Sequence, residues 1–239
     1  MNLINSFKTL GLWFLDLLFP ISCLVCGADG KFACDNCLIG LPKLQQQQCL
    51  VCQTPSPFGK THLNCVSKNT VDGSIAALPY KNPQIHKIIE TFKYNFISDL
   101  ALPLSQMIVG EIAKQNLSDY FQDFTVVPVP LHPRRFNWRG FNQAELLSAQ
   151  LAENLKLKVD SKLVTRQKFT KPQVKLDAAQ RRQNMDNAFV INPDAAVGAG
   201  KKILLVDDVV TSGSTANELA KLFKRNHAAE VWLLTAAHG

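Results

Sequence analysis

Hydrophobic positions follow two regimes along this chain. From residue 71 onward, short apolar runs alternate with stretches of helical period. Residues 71–80 read as a strand, and 83–96 as a helix with Ile85, Ile88, Ile89 and Phe92 inward. Residues 100–117 give a second helix and 124–130 a short buried strand. In 142–155, Ala144, Leu147, Leu151 and Leu155 recur on one helical face. Residues 202–207 form another buried strand, 215–225 a helix and 230–235 a final strand. Strands alternating with helices imply an α/β fold with a parallel sheet covered on both faces.

Before residue 66 the periodic pattern is weak. Residues 3–19 make a short amphipathic helix, with Leu3, Phe7, Leu10, Phe14 and Leu18 in one stripe. Packing on its own protein is the preferred reading, ahead of lying on a membrane surface. The apolar run from Leu10 to Val25 is interrupted by Asp16 and Pro20 and is too short to span a bilayer. No basic stretch followed by a small-residue cleavage site marks a secretory leader. The expectation is a cytoplasmic protein without a transmembrane segment, peripheral attachment to the inner membrane being the alternative.

Cysteine changes this picture of the first 66 residues. All seven cysteines lie there, six of them as Cys23/Cys26, Cys34/Cys37 and Cys49/Cys52, and Cys65 follows His62 at the same spacing. Four knuckles of this kind offer eight thiolate or imidazole ligands, enough for two tetrahedral zinc sites. The segments between them are too short for a core of their own, so cross-linking by metal is physically expected. A disulfide framework fits an odd cysteine number poorly, and a redox Cys-x-x-Cys calls for one pair rather than four knuckles in series. Pairing of consecutive knuckles needs only short loops; a crossed pairing is the alternative, and with His62 uninvolved one closed site would remain. The zinc is structural, because nothing marks an open coordination position. We therefore divide the chain into a helix and cysteine-rich module, 1–66, and a larger domain, 67–239. Within the module, Phe58-Gly59-Lys60-Thr61 imitates the end of a P-loop, but no strand precedes it and prolines intervene.

Composition adds one regional fact. With 46% hydrophobic and 19% charged residues, the chain is globular rather than disordered. Its net charge is +7, yet residues 132–182 hold twelve Lys/Arg against four Asp/Glu, a net of +8 that leaves −1 for the remainder. Phe136, Trp138, Phe141 and Phe169 are interleaved with these cations. A cationic stretch with stacking faces suits single-stranded nucleic acid, whereas a solvated surface is the plainer reading.

The most informative run is 203–215. Four apolar residues end at Asp207 and Asp208, a turn follows with Thr211, Ser212, Gly213 and Ser214, and a helix begins. Thr215 with Glu218 makes a capping box at that helix start. Backbone N–H groups and the positive helix end accommodate a phosphate dianion, Gly213 lets the backbone approach, and the hydroxyls of Thr211, Ser212, Ser214 and Thr215 add donors. Asp207 and Asp208, at the carboxyl end of the strand, can accept from paired sugar hydroxyls. The set fits a ribose 5-phosphate. A Walker B reading lacks its Walker A partner, and no Gly-x-Gly-x-x-Gly follows a strand.

This run closely resembles the phosphoribosyl pyrophosphate (PRPP) motif of type I phosphoribosyltransferases. That likeness implies that Leu131, His132 and Arg134, after Val127-Pro128-Val129-Pro130, lie where such proteins carry a pyrophosphate loop, with Arg134, Arg135 and Arg139 neutralising the anion. Arg135 alone is as readily a surface residue. Lys168, Lys171, Lys175, Arg181 and Arg182 within 166–190 suit a basic loop closing over an anion, or a solvent loop.

Four knuckles ahead of such a domain resemble the ComF family of competence proteins over nearly the whole chain. The marks are Cys23-Leu24-Val25-Cys26, Cys34-Asp35-Asn36-Cys37 with Leu41-Pro42, Cys49-Leu50-Val51-Cys52, Pro128-Val129-Pro130, and the run Arg139-Gly140-Phe141-Asn142-Gln143-Ala144. Lys171-Pro172-Gln173, Arg181 with Asn184, and the phosphate loop complete them. His62 in place of a cysteine and Gln53 in place of a glycine depart from the pattern. The resemblance implies a parallel-sheet, type I phosphoribosyltransferase-like domain behind a small zinc-ribbon-like module, binding one or two Zn²⁺, and PRPP with Mg²⁺. It implies handling of incoming single-stranded DNA in natural transformation, or use of DNA as a nutrient. The alternatives are an active Mg²⁺-dependent phosphoribosyltransferase in salvage, its acceptor base or nucleotide and its catalytic residues unassigned, and a zinc adaptor docking on a DNA-uptake helicase.

Overall fold

The computed structural model describes residues 21–94, 97–168, 188–193 and 199–239. The expected helix over 3–19 and most of the basic segment 166–190 lie outside them. The chain forms two compact units, Met1–Leu41 and Pro42–Gly239.

In the first unit the chain turns tightly after Cys23, with the Gly27 N–H donating to the Cys23 carbonyl at 2.8 Å. A short helix, α1 (Asp35–Gly40), starts at Cys34. The second unit opens on the same turn: the Gln53 N–H donates to the Cys49 carbonyl at 2.8 Å. Gln53 takes φ +57° where Gly27 takes +77°. The departure at Gln53 therefore leaves the turn in place at the cost of a left-handed backbone, about 1–2 kcal/mol for a residue with a Cβ.

The second unit is built on β1 (Gly73–Pro79), α2 (Pro83–Tyr94), α3 (Ala101–Lys114), β2 (Phe124–Pro128), α4 (Pro133–Arg139), α5 (Gln143–Leu155), β3 (Lys158–Val159), β4 (Val164–Arg166), β5 (Phe189–Ile191), β6 (Lys202–Val210), α6 (Ser214–Arg225) and β7 (Glu230–His238). Five strands form one sheet in the order β1-β7-β6-β2-β3, every pair parallel, and β4 and β5 form a separate antiparallel pair. α5 packs on β2, β6 and α3, while α6 packs on β5 and β7. The apolar face predicted for α2 is buried at Ile85, Ile88, Ile89 and Phe92, and that of α5 at Ala144, Leu147, Leu151 and Leu155. At β1, Gly73 is required because a Cβ there would stand 2.3 Å from the Trp232 ring.

Several boundaries differ from the sequence pattern: β1 starts at Gly73, α3 ends at Lys114, and β7 runs to His238 rather than residue 235. β2 stops at Pro128 rather than residue 130, its last bond to β6 being that of the Val129 N–H to the Val206 carbonyl. β6 runs on to Val210, because Val209 and Val210 keep pairing with Ala237 and His238. Residues 133–139, expected as loop, form α4, with Pro133 in its first turn and the His132 Nδ1 accepting from the Arg134 N–H at 3.1 Å. Strands β3 to β5 are only two or three residues long, too short for an alternation pattern to reveal.

Candidate functional site

The sheet order places the site. From β2 the chain crosses through α5 to β3 on one side; from β6 it crosses through α6 to β7 on the other. The adjacent carboxyl ends of β2 and β6 are therefore a switch point, where open α/β sheets hold their ligands. β2 pairs with β6 only as far as Pro128 with Val206, and the Val129 N–H donates to the Val206 carbonyl. Beyond Val206, β6 is paired with β7 alone, so Asp207 and Asp208 border a gap. They stand inside the strand, not at its end as the sequence pattern had it.

After β6, Gly213 adopts φ +68° and is the N-cap of α6, without a side-chain cap. This corrects the capping box: the helix begins at Ser214, Thr215 lies inside its first turn, and Glu218 pairs with Lys221 at 3.2 Å. A side-chain cap is displaced by the left-handed glycine. The amides of the first turn, which have no carbonyl behind them in a helix, are thus left to the loop. A cavity of about 60 Å³ is lined by Thr211, Ser212, Gly213, Ser214 and Thr215. The Ser212 and Ser214 hydroxyls lie 3.2 Å apart.

Alongside it opens a larger crevice of about 880 Å³. Asp207 and Asp208 line it together with Arg134, Arg135 and Arg139, so the structure brings the two expected groups to one space. Leu131 also lines it; His132 caps α4. Arg139 is buried, its Nη1 donating to Gln143 Oε1 at 3.1 Å, its guanidinium 4.7 Å from the Tyr94 ring, and its Nε without a partner among the described residues. Tyr94 in turn faces Trp138, ring centres 5.5 Å apart; both rings are exposed, Trp138 at 64%.

Sequence reasoning missed an acid–base cluster behind the carboxylate pair. Lys93 Nζ stands 3.6 Å from Asp208 Oδ1 and 3.5 Å from Glu90 Oε1, and the Tyr80 hydroxyl donates to Glu90 Oε1 at 2.8 Å. Burial opposes the charge on Lys93, but Asp208 and the neighbouring acids outweigh it and raise its pKa. Burial and the bond to Glu90 push Tyr80 up to about 12. Burial, then Asp208, raise Asp207 to about 7, against a bond from the Asp208 N–H at 2.9 Å. Arg166, on β4, lines the crevice too; burial and then Arg135 lower it to about 10.

The cysteines gather into two quartets, Cys23, Cys26, Cys34 and Cys37, and Cys49, Cys52, His62 and Cys65, the ligand atoms of each within 4.8 Å of one another. Tetrahedral zinc with Zn–S bonds of about 2.3 Å sets its sulfurs about 3.8 Å apart; Cys26 and Cys34 sulfurs are 3.7 Å apart. His62 turns its Nδ1 to within 3.2 Å of the Cys52 sulfur. Both quartets therefore fit the ion. In the first quartet, hydrogen bonds with Cys34 and Cys26 push Cys37 up to about 12; in the second, the Thr54 hydroxyl and amide lower Cys52 to about 6. Once one thiolate forms, its neighbours resist ionising unless a cation enters. Among the described residues, no helix is long and apolar enough to cross a membrane.

Comparison with known proteins agrees with this division of labour. The phosphoribosyl transferase domain family matches residues 100–238, and the double zinc ribbon domain family matches 14–66. The DNA utilization protein YhgH of Escherichia coli (strain K12) is 38% identical over 156 residues, covering 64% of this chain and 67% of that protein. Competence protein F of Haemophilus influenzae is 42% identical over 114 residues, 47% of this chain and 50% of the relative. Competence protein ComFC of Streptococcus pneumoniae is 28% identical over 141 residues, 58% of this chain and 57% of the relative. With a phosphoribosyl transferase domain behind a double zinc ribbon, this chain belongs to the ComF family.

Proposed function

We propose that this chain binds a 5-phosphoribosyl ligand, PRPP or a nucleotide, in the β2–β6 crevice, and handles single-stranded DNA in competence or DNA utilization. One observation carries the first half: Asp207, Thr211 and Thr215 line both the small cavity at the glycine-turned start of α6 and the adjoining arginine-lined crevice, which Asp208 also borders. The 5-phosphate sits against the amides and hydroxyls of residues 211–215, the ribose hydroxyls donate to Asp207 and Asp208, and Arg134, Arg135 and Arg139 meet pyrophosphate. Arg139, held by Gln143 and the Tyr94 ring and lining the crevice, is a cation positioned for an anion. Mg²⁺ bound with PRPP would supply positive charge at this site, where Asp207 and Asp208 are the carboxylates that would face it. Zn²⁺ in the two quartets is structural.

The acidity of Asp207 gives a test with a definite sign. Its folded pKa, about 7, exceeds the ordinary value of about 3.9. The empty protein therefore keeps a proton that the unfolded chain releases, and it loses stability as pH rises from about 4 to about 7. Asp207→Asn removes that penalty and raises the melting temperature at pH 8. The same change weakens Mg²⁺-dependent PRPP binding in calorimetry and flattens its rise between pH 6 and 8, because the amide accepts one hydroxyl but carries no charge. A variant that is both destabilised at pH 8 and undiminished in PRPP affinity contradicts the assignment.

The DNA half rests on the names of the relatives and on the edge of the crevice. Tyr94, Phe136 and Trp138 are exposed beside Arg134 and Arg135, a stacking surface with phosphate partners. Affinity for an oligothymidylate falls steeply with salt, about 0.7 of a log unit per log of salt for each phosphate contacted. Arg134→Ala with Arg135→Ala lowers that slope, while Trp138→Ala weakens binding at constant slope, as filter binding from low to physiological salt measures. Salt-independent binding removes this reading.

A second reading, transfer of the ribose 5-phosphate group to an acceptor, is favoured by the size of the crevice, at the upper end of small-molecule sites. In it the bond from C1 of the ribose to pyrophosphate breaks, a bond to an acceptor nitrogen forms, and the nitrogen loses its proton. Pyrophosphate release from PRPP dependent on an added base distinguishes it from binding alone.

A further inference from the structure

The turn that opens the phosphate loop rests on the second cysteine quartet. Leu50 lies between Cys49 and Cys52, is only 3% exposed, and shares one core with Ala216, Leu219 and Ala220 of α6. It lies directly against Gly213: a Cβ built on that glycine meets Leu50 Cβ and Cδ1 at 3.2 Å. One turn into α6, the Asn217 Oδ1 accepts the Val71 N–H at 3.0 Å, shortly after Cys65 in the chain. At the far end of the helix, Lys224 Nζ donates to the Thr70 carbonyl at 2.8 Å and to the Asp72 carboxylate at 2.7 Å. α6 is therefore held at both ends by chain that flanks the quartet, and all of it belongs to the unit Pro42–Gly239.

We infer that the second quartet is a positioning element of the phosphate site: the metal held by Cys49, Cys52, His62 and Cys65 fixes Leu50, and Leu50 fixes the Gly213 turn whose amides receive the phosphate. This rests on the phosphate-binding reading of the loop. Leu50 sits inside the four-residue knuckle, so the turn that aims two sulfurs at the ion also sets where its side chain points. The knuckle has only a few backbone bonds of its own, from the Cys49 N–H to Thr54 and from the Gln53 N–H to Cys49. Without an ion tying it to His62 and Cys65, the position of Leu50 is no longer specified. The coupling is reciprocal: an occupied phosphate loop must retain the zinc more tightly.

Leu50→Ala keeps every metal ligand, so elemental analysis shows zinc content equal to that of the unaltered chain. Its affinity for PRPP with Mg²⁺ falls by about tenfold, within the range usual for coupled sites, and Leu50→Met restores it. In hydrogen exchange, the amides of residues 214–217 exchange faster in Leu50→Ala and in Cys52→Ser. On the unaltered protein, saturating PRPP slows transfer of one zinc equivalent to a chelator, a measurement that needs no variant to fold. Unchanged exchange at 214–217 in Leu50→Ala, or zinc transfer indifferent to PRPP in a protein that binds it, overturns the inference. A chain that binds no phosphate ligand overturns the reading of the loop instead, and the exchange of 214–217 still decides the coupling.

Discussion

Gly213→Val is expected to abolish binding of PRPP, ribose 5-phosphate and inorganic phosphate together, by at least about a hundredfold each, while both zinc equivalents stay bound. Two independent effects act at this residue. Its φ of +68° is left-handed, which costs a residue with a Cβ about 1–2 kcal/mol and is a genuine outlier for a β-branched one. The new side chain also meets Leu50 at 3.2 Å and the Asn217 amide at 3.6 Å before its methyl groups are counted. Relief comes only from rotating the turn, and that takes the first amides of α6 off the phosphate. Gly213→Ala meets the same backbone cost with a smaller clash and falls in between. Asp207→Asn is different in kind, since it spares inorganic phosphate. Calorimetry with the three ligands separates the two variants; a Val variant that holds inorganic phosphate within about twofold of the unaltered chain would show that the α6 amides are not the phosphate site.

The loop was legible in the sequence because its chemistry is local. Apolar residues running into Asp207 and Asp208, then small hydroxylated residues around Gly213, need no distant partner to be understood. The parallel sheet was legible for the same reason: each of its four longer strands carries its own apolar run. The quartets follow from knuckle spacing, with Gln53 showing that a turn can persist on a residue that strains it. The capping box failed instructively. Thr215 and Glu218 have the right spacing, but the local pattern competes with a left-handed glycine one residue before Ser214, and the glycine sets the helix start. β6 outran its expected end because pairing with β7 continues after β2 has stopped, a fact of neighbouring strands that the strand itself does not encode.

What the sequence concealed is contact between distant segments. Tyr94 and Trp138 belong to α2 and α4, and only the packing of those helices around the crevice turns two scattered aromatics into one surface. Leu50 reads as an apolar filler inside a metal knuckle until α6 is seen against it. Arg166 reads as one cation in a basic stretch, yet β4 carries it into the crevice wall. Lys93 is the clearest case: three residues after Glu90 on an amphipathic helix, it has the signature of an exposed ion pair worth little, and it is in fact buried against the Asp208 carboxylate.

Lys93→Met is accordingly expected to cost far more than a surface lysine would. The Lys93 side chain is 14% exposed and that of Asp208 11%, so neither charge is well screened. Removing the ammonium leaves Glu90, Asp207 and Asp208 around one space without their nearest cation. Breaking a buried pair in this way costs roughly 3–5 kcal/mol, or about 6–20 °C in melting temperature for a domain of this size. The loss depends on pH. Asp207 already titrates near 7 because it is buried and then repelled by Asp208, and without Lys93 it takes up its proton more readily still. The variant therefore recovers stability as pH falls from 8 toward 5, where the native state gains protons that the unfolded chain does not. PRPP binding drops with it at pH 8, since a protonated Asp207 offers the ribose hydroxyls a weaker, uncharged acceptor. Lys93→Arg keeps the charge and restores most of the stability, but not the ligand geometry, because a planar guanidinium does not replace a point charge between two carboxylates. Melting curves at pH 5 and pH 8, alongside PRPP titrations, measure both halves; a Met variant that melts with the unaltered chain at pH 8 would place Lys93 among the solvated lysines that its sequence context resembles.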